Sequence, residues 1–224
     1  MHKTAQRSSK AHLTNARGRG RPRGFDRETA LAKATRLFWI KGYEATSIAD
    51  LTEAMGVGSP SLYAAFGSKE ALYVEALGYY RETYEVLVWG GFLAAETARA
   101  AVQCLLVDSA KVLSGSALDI PNGCMVTLSP VKSEGYEALG SIVLSARAIT
   151  FDRLRDRLAR AVAEGEFPAS VDIHALSRFI QTLQSGMSIL ARDAVTPEEL
   201  ESVAQLAMSA WDARTASQSY SLGP

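Results

Sequence analysis

The sequence predicts an all-α protein, and three observations carry that expectation. Apolar residues recur three and four apart over most of the chain, which is the spacing of one helix face. Hydroxyl and carboxylate caps, glycines and prolines interrupt that pattern at regular intervals. No alternating apolar–polar run of useful length suggests a strand, and no internal repeat is present.

Asp26 is placed to cap a first helix over 27–40, with Ala30, Leu31, Ala34, Leu37 and Phe38 on its inner face and Gly42 as its stop. Thr46 or Ser47 caps a second, with Asp50 three residues after Ser47 as in a capping box. It buries Ile48, Leu51 and Ala54 and breaks at Gly56. Ser59-Pro60 opens a short third helix with a hydroxyl cap followed by proline at the first helical position; it ends at Phe66-Gly67. Ser68 caps a fourth, carrying Leu72, Val74, Leu77 and Tyr80, expected to reach Trp89 before Gly90-Gly91. Further helices are expected at about 93–114, 123–130, 136–164, 172–193 and 197–213, separated by Gly115, Pro121, Gly135, Gly165, Pro168 and Pro197.

The composition narrows the class. A chain of 224 residues allows one or two compact units. With 47% apolar and 21% charged residues it sits at the globular average, which excludes global disorder. No apolar stretch is long enough for a membrane span, and the first residues lack the apolar core of a secretory signal. Two cysteines cannot build a disulfide framework, so a reducing, cytoplasmic setting is expected. Neither cysteine, nor His2, His12 or His174, has a partner at metal-ligand spacing, and no metal or cofactor is expected. There is no glycine-rich phosphate loop, no Cys/His nucleophile pair and no carboxylate–histidine helix motif. No catalytic residues are assigned, and an enzyme is not expected.

The 24 basic and 24 acidic residues balance overall but are unevenly placed. Residues 1–24 hold seven basic groups and no acid; the first 82 residues carry a net charge of +5 and the remainder −5. A cationic end on a neutral protein suggests a local polyanion contact. In Gly18-Arg19-Gly20-Arg21-Pro22-Arg23-Gly24, glycine keeps the backbone slim, proline keeps it extended, and Arg19, Arg21 and Arg23 suit a narrow, negative minor groove. Arginine-glycine segments also bind RNA, and a solvated tail has the same composition.

The region from Thr46 to Phe66 reads as a helix-turn-helix with its reversal at Met55-Gly56-Val57-Gly58-Ser59. Val57 plugs the angle between the helices, and Leu62 and Phe66 pin the second. Its outward residues, Ser59, Ser61, Tyr63 and Ala64, are small or hydrogen-bonding, so the helix can sit deep in a major groove. A plain helical hairpin in a bundle shares the apolar pattern; the adjacent arginine arm favours DNA.

The runs Gly42-Tyr43-Glu44-Ala45-Thr46-Ser47-Ile48-Ala49-Asp50-Leu51, Gly56-Val57 and Ser61-Leu62-Tyr63-Ala64-Ala65-Phe66-Gly67-Ser68-Lys69-Glu70-Ala71-Leu72 resemble the tetracycline-repressor (TetR) family over about residues 25–80. The resemblance implies a cytoplasmic, homodimeric bacterial transcription regulator. In such a protein an N-terminal three-helix domain binds a palindromic double-stranded operator, and a C-terminal helical domain takes a small-molecule inducer and dimerises. The expected division is a flexible basic arm (1–24), a DNA-binding domain (25–70), a ligand-binding and dimerisation domain (71–214) and a frayed tail (215–224). Ser59, Pro60, Ser61 and Ala64 fall at groove-facing positions of the family, and Thr46, Tyr63 and Lys69 where it holds phosphates. Ser68 and the free N–H groups of the fourth helix can add a phosphate contact. This chain departs from the pattern in lacking a long polar side chain over 58–61, which shifts specificity toward close contact, the arm and DNA shape.

Beyond residue 80 the resemblance is loose. Gly123-Cys124-Met125-Val126 and the 184–192 stretch look like a branch some of whose members sense electrophiles through cysteine. Tyr84, Trp89, Phe92, Cys124, Met125, Tyr136, Phe151 and Met187 are candidates for a ligand pocket, with ordinary core as the alternative for each. Cys124 stands at an expected helix start, where N–H dipoles favour a thiolate; Cys104 lies on an apolar face and reads as inert. The charges of 152–157 read as a solvated face. Ala175, Phe179, Leu183, Gly186 and Leu190, with Val203, Leu206 and Ala210, fall where the family docks two subunits, and an internal helix pair has the same pattern. The competing class is an architectural DNA-binding protein without an inducer, which would have little use for some 140 residues of acidic helical domain.

Overall fold

The computed structural model describes residues 26–116, 118–130 and 137–216. In chain order the helices are α1 (Arg27–Lys41), α2 (Ile48–Met55), α3 (Ser59–Phe66), α4 (Lys69–Ala94), α5 (Ala98–Leu113), α6 (Met125–Leu128), α7 (Glu137–Ala163), α8 (Ile173–Arg192) and α9 (Pro197–Thr215). The described residues contain no strand, as expected, and no helix among them is long and apolar enough to cross a membrane. The expected arm (1–24), most of the expected tail, and Tyr136 lie outside the described residues.

The N-terminal caps are local chemistry. Asp26 accepts the backbone N–H groups of Glu28 and Thr29 at the start of α1. Ser47, not Thr46, caps α2 in a complete capping box with Asp50. Gly56, at φ 72°, closes α2 in the left-handed conformation and turns the chain toward α3. The cap of α3 is Gly58 rather than Ser59: no side chain caps it, and Ser59 and Pro60 form its first turn. The Ser59 hydroxyl is therefore not committed to capping.

Two clusters of buried side chains hold the chain together. In the first, Ala30, Ala34, Phe38 and Trp39 of α1 pack against Leu51 and Met55, Leu62 and Phe66, and the first half of α4. This cluster also takes in Met125 and Val126 of α6 and Leu139 and Val143 of α7, so the core of the N-terminal unit reaches beyond residue 80. The second is built from the end of α4, α5, the later turns of α7, α8 and α9, around Leu105, Leu106, Leu158, Ile180 and Trp211. Losing a fully buried leucine such as Leu62 to alanine costs about 2–5 kcal/mol.

Helix α4 does not stop at Gly90-Gly91 as the sequence suggested; it runs to Ala94. A side chain at Gly91 would bring its Cβ to 2.9 Å from Cys104 Cβ of α5, so this glycine lets the two helices approach closely. Correspondingly α5 starts at Ala98, with Thr97 as its cap, instead of near residue 93.

The charged run on α7 is not uniformly solvated. Arg155 is exposed and pairs with Asp152 and Asp156. Arg157 is buried and staples α7 to the α4–α5 connection, donating to Glu96 O at 2.9 Å and to the Glu166 carboxylate at 2.8 Å. Glu166 in turn accepts the N–H of Ala98.

Candidate nucleic-acid interface and effector cavity

Helix α3 is fastened from behind. Leu62 and Phe66 are buried, Val57 fills the turn before it, and the Gly58 carbonyl accepts the N–H groups of Ser61 and Leu62 at 3.0 and 3.1 Å. Ser59, Pro60, Ser61 and Ala64 are exposed, and Tyr63 is 46% exposed. The outward row thus carries two hydroxymethyl groups, a proline ring, a phenol and a methyl, and its first turn, residues 58–61, has no long hydrogen-bonding side chain.

The residues expected on phosphates divide. Tyr63 stands at the surface. Lys69, the first residue of α4, is half-buried with its ammonium 4.4 Å from the Tyr43 ring centroid. Burial pulls its pKa below the ordinary lysine value against the raising influence of Glu44, Asp50 and Glu70. Thr46 is different: it is fully buried, and its hydroxyl donates to Gly42 O at 2.6 Å. That side chain braces the α1–α2 turn and does not reach the surface, which corrects its expected contact with phosphate. At the start of α4, Ser68 uses its hydroxyl to accept the N–H of Ala71. Arg27 backs this surface, pairing with Glu75 at 2.7 Å and stacking over Phe66.

A cavity of about 80 Å³ lies among α4 to α8. Tyr80, Tyr84, Val88 and Trp89 form one wall; Cys124, Val126 and Thr127 the floor; Ala146, Arg147 and Thr150 another wall; Gln181, Gln184 and Ser185 close it. Of the expected pocket residues, Tyr84, Trp89 and Cys124 do line it. Phe92, Met125, Phe151 and Met187 do not; each is buried in the packing around it. Phe151 is occupied on its face by the Arg178 guanidinium at 3.6 Å and touched by the His174 ring. Phe92 meets Trp89 edge to face.

Sequence reasoning missed the polar lining, which comes from three separate helices. Glu85 accepts from Arg81 at 2.9 Å and from Arg153 at 3.0 Å. Arg147 donates to the carbonyls of Thr127 and Ser129, both at 2.6 Å, and ties α7 to α6. Gln181 and Gln184 donate to Arg147 O and Ser109 Oγ. Tyr80 is buried with its hydroxyl against Cys124; burial, and then the neighbouring thiol, push its pKa well above the ordinary phenol value. The helix that Cys124 caps is a single turn, too short to supply the terminal field of a longer helix, so the interest of this cysteine rests on the cavity.

On the outer face of α8 and α9, Ala175, Phe179, Leu190, Leu206 and Ala210 are exposed, while Leu183, Gly186 and Val203 are half-buried. Leu206 is 73% exposed. Ile189, which the sequence reading did not include, adds to the exposed apolar surface of α8.

The family model for bacterial regulatory proteins of the tetR family matches residues 30–76, which hold most of α1, all of α2 and α3, and the start of α4. The chain is 34% identical over 202 residues to the HTH-type transcriptional repressor ComR of Escherichia coli (strain K12), covering 87% of this chain and 93% of that protein. It is 33% identical over 194 residues to the HTH-type transcriptional repressor BdcR of the same organism, covering 84% and 90%. Among solved structures it resembles the TetR family regulator CifR, captured as a triple cysteine mutant with 26-bp double-strand operator DNA. There the identity is 38%, the coverage 86% of this chain and 100% of that one, and the TM-score 0.80. A helix-turn-helix with a bare outward helix, joined to a helical domain around a small cavity, and full-length kinship at these identities lead to one conclusion: the chain belongs to the TetR family of bacterial transcriptional regulators.

Proposed function

We propose that this regulator is a cytoplasmic repressor that binds a palindromic operator as a homodimer and releases it when a small molecule occupies the cavity at Cys124. One observation carries the reading: α3 is held by Leu62 and Phe66 while Ser59, Pro60, Ser61, Tyr63 and Ala64 face outward, in a chain similar to a regulator seen on its operator. Small outward groups let the helix lie close to base edges in the major groove. Tyr63 and Lys69 then anchor phosphates, which position the helix without reading sequence. Arg19, Arg21 and Arg23 of the arm enter the neighbouring minor groove. The exposed apolar surface of α8 and α9 pairs two protomers, setting two α3 helices about one DNA turn, roughly 34 Å, apart.

The cavity supplies the inducer site, which the architectural alternative does not need. Cys124 opens onto it beside Tyr80, so a small carbonyl electrophile entering there adds to the thiol. The Sγ–C bond forms, the carbonyl π bond breaks, and the thiol proton ends on the former carbonyl oxygen. Release follows as a shift of population toward a conformer whose α3 helices no longer match the half-sites.

Fluorescence anisotropy with fragments from the DNA flanking the gene, at two salt concentrations, tests operator binding, because phosphate neutralisation makes affinity fall with salt. Glyoxal is then added to the wild type and to Cys124→Ser. Preference for one fragment, with release of the wild type and retention of the variant, supports the reading. Equal affinity for all DNA overturns operator recognition, and an identical response of the variant removes the thiol.

A further inference from the structure

We propose that the buried hydrogen bond from Trp39 to Gly123, closed into a ring by Ser188 and Arg192, carries the state of the cavity to the DNA-binding unit. The inference rests on the reading that an occupant at Cys124 releases the operator, and it names the route. Trp39 belongs to α1, and its indole N–H donates to Gly123 O at 2.8 Å across 84 residues of chain. Gly123 directly precedes Cys124. On the other side, the Cys124 N–H donates to Ser188 Oγ of α8 at 2.8 Å. One turn along α8, Arg192 donates to Trp39 O at 2.6 Å and to Ile40 O at 2.9 Å, two carbonyls in the last turn of α1. The circuit runs from Cys124 to Ser188, Arg192, Trp39, Gly123 and back.

Three further facts make this circuit a lever. Cys124 packs against both buried clusters. Gly123 has φ +76°, and a Cβ there would lie 2.7 Å from Ser188 O, so the segment is wedged against α8 with no slack. A second polar tie from α1 to this region among the described residues, Arg36 to Asp119, is exposed and readily exchanged for water. A group added at the Cys124 sulfur displaces residues 123–124. A buried indole N–H is costly to leave unpaired, so Trp39 follows, and α1 moves with it. Because α1 packs against α2 and α4, the helix-turn-helix is reoriented.

The test uses full-length protein in a Cys104→Ala background, so that a single thiol remains. Methyl methanethiosulfonate converts Cys124 to its methyl disulfide, with methanesulfinate leaving; intact mass shows completion. The ¹H–¹⁵N indole signal of Trp39 is assigned by its loss in Trp39→Phe, and operator affinity is measured before and after labelling. We expect the indole signal to shift on labelling. The ratio of unlabelled to labelled affinity, for allosteric proteins commonly about 5–150-fold, should fall by about threefold or more in Trp39→Phe. Arg192→Gln should lower it in the same direction, and it serves alone if Trp39→Phe does not fold. An indole signal that stays in place, or a ratio unchanged in the variants at complete labelling, overturns the link even where release itself is intact. If labelling leaves operator affinity unchanged in the parent, thiol-triggered release fails, and the indole signal alone then decides the link.

Discussion

The most decisive perturbation is Lys69→Met. The substitution keeps most of the stem and removes the ammonium, which lies above the Tyr43 ring near Glu44, Asp50 and Glu70. A dimer carries two such lysines, and each neutralised phosphate contributes about 0.9 to the log–log slope of affinity against salt. The variant's line should therefore be flatter by about 1.8. Over a fourfold rise in salt, from about 50 to 200 mM, its deficit relative to the wild type should shrink by about 12-fold. Tyr63→Phe is the matched control: it deletes a neutral hydroxyl worth about 0.5–1.5 kcal/mol per protomer and leaves the slope unchanged. Anisotropy titrations of an operator duplex at four salt concentrations measure both, and thermal melts check that the loss of a half-buried cation–π contact, about 0.5–2 kcal/mol, leaves the protein folded. A Lys69→Met line parallel to the wild type would refute the phosphate assignment, as would a changed slope in Tyr63→Phe.

Thr46→Val should lower stability by about 1 kcal/mol through loss of the bond to Gly42 O, while operator affinity of the folded protein stays within about twofold; a larger loss of affinity would return Thr46 to the DNA. Asp50 is held well below the ordinary carboxylate value of 3.8 by Lys41 first and Ser47 next. Its contribution is thus complete above about pH 4 and lost as the pH falls toward the lowered native value. Urea midpoints by circular dichroism should fall on acidification, and Asp50→Asn should flatten that dependence; an equal fall in the variant would exclude Asp50 as a source. Phe179→Glu and Leu206→Glu each place charge on both sides of the proposed contact between protomers. Sedimentation should show monomers with helical content intact, and persistent dimers would move the interface elsewhere.

The DNA-binding half of the fold was legible because its signals are local. Asp26, Ser47 with Asp50, and Gly56 act within one turn of where they stand, so their spacing in sequence is their spacing in space. The misreadings arose where tertiary contact decides. Gly90-Gly91 looks like a helix stop, yet the glycine is there for the approach of Cys104 on α5. Ser59 looks like a cap, but the turn places Gly58 in that role. Phe92, Met125, Phe151 and Met187 have the same apolar character as true pocket residues, and only the packing of five helices separates Tyr84 and Trp89 from them. Arg147 and Gln181 gave no signal, since polar residues on amphipathic helices are expected to face water; Gln184 stood out only as the start of the 184–192 stretch, not as a lining residue. Trp39 belonged to no predicted face, although it ties the two units together.

The surface of α3 has a practical corollary. Ser59, Ser61 and Ala64 contribute nothing to either buried cluster, so their side chains are free to vary while Leu62 and Phe66 keep the helix seated. On the proposed reading, longer amides or guanidiniums grafted at those three sites rewrite the address the protein seeks on a chromosome, and leave untouched the distant cavity at Cys124.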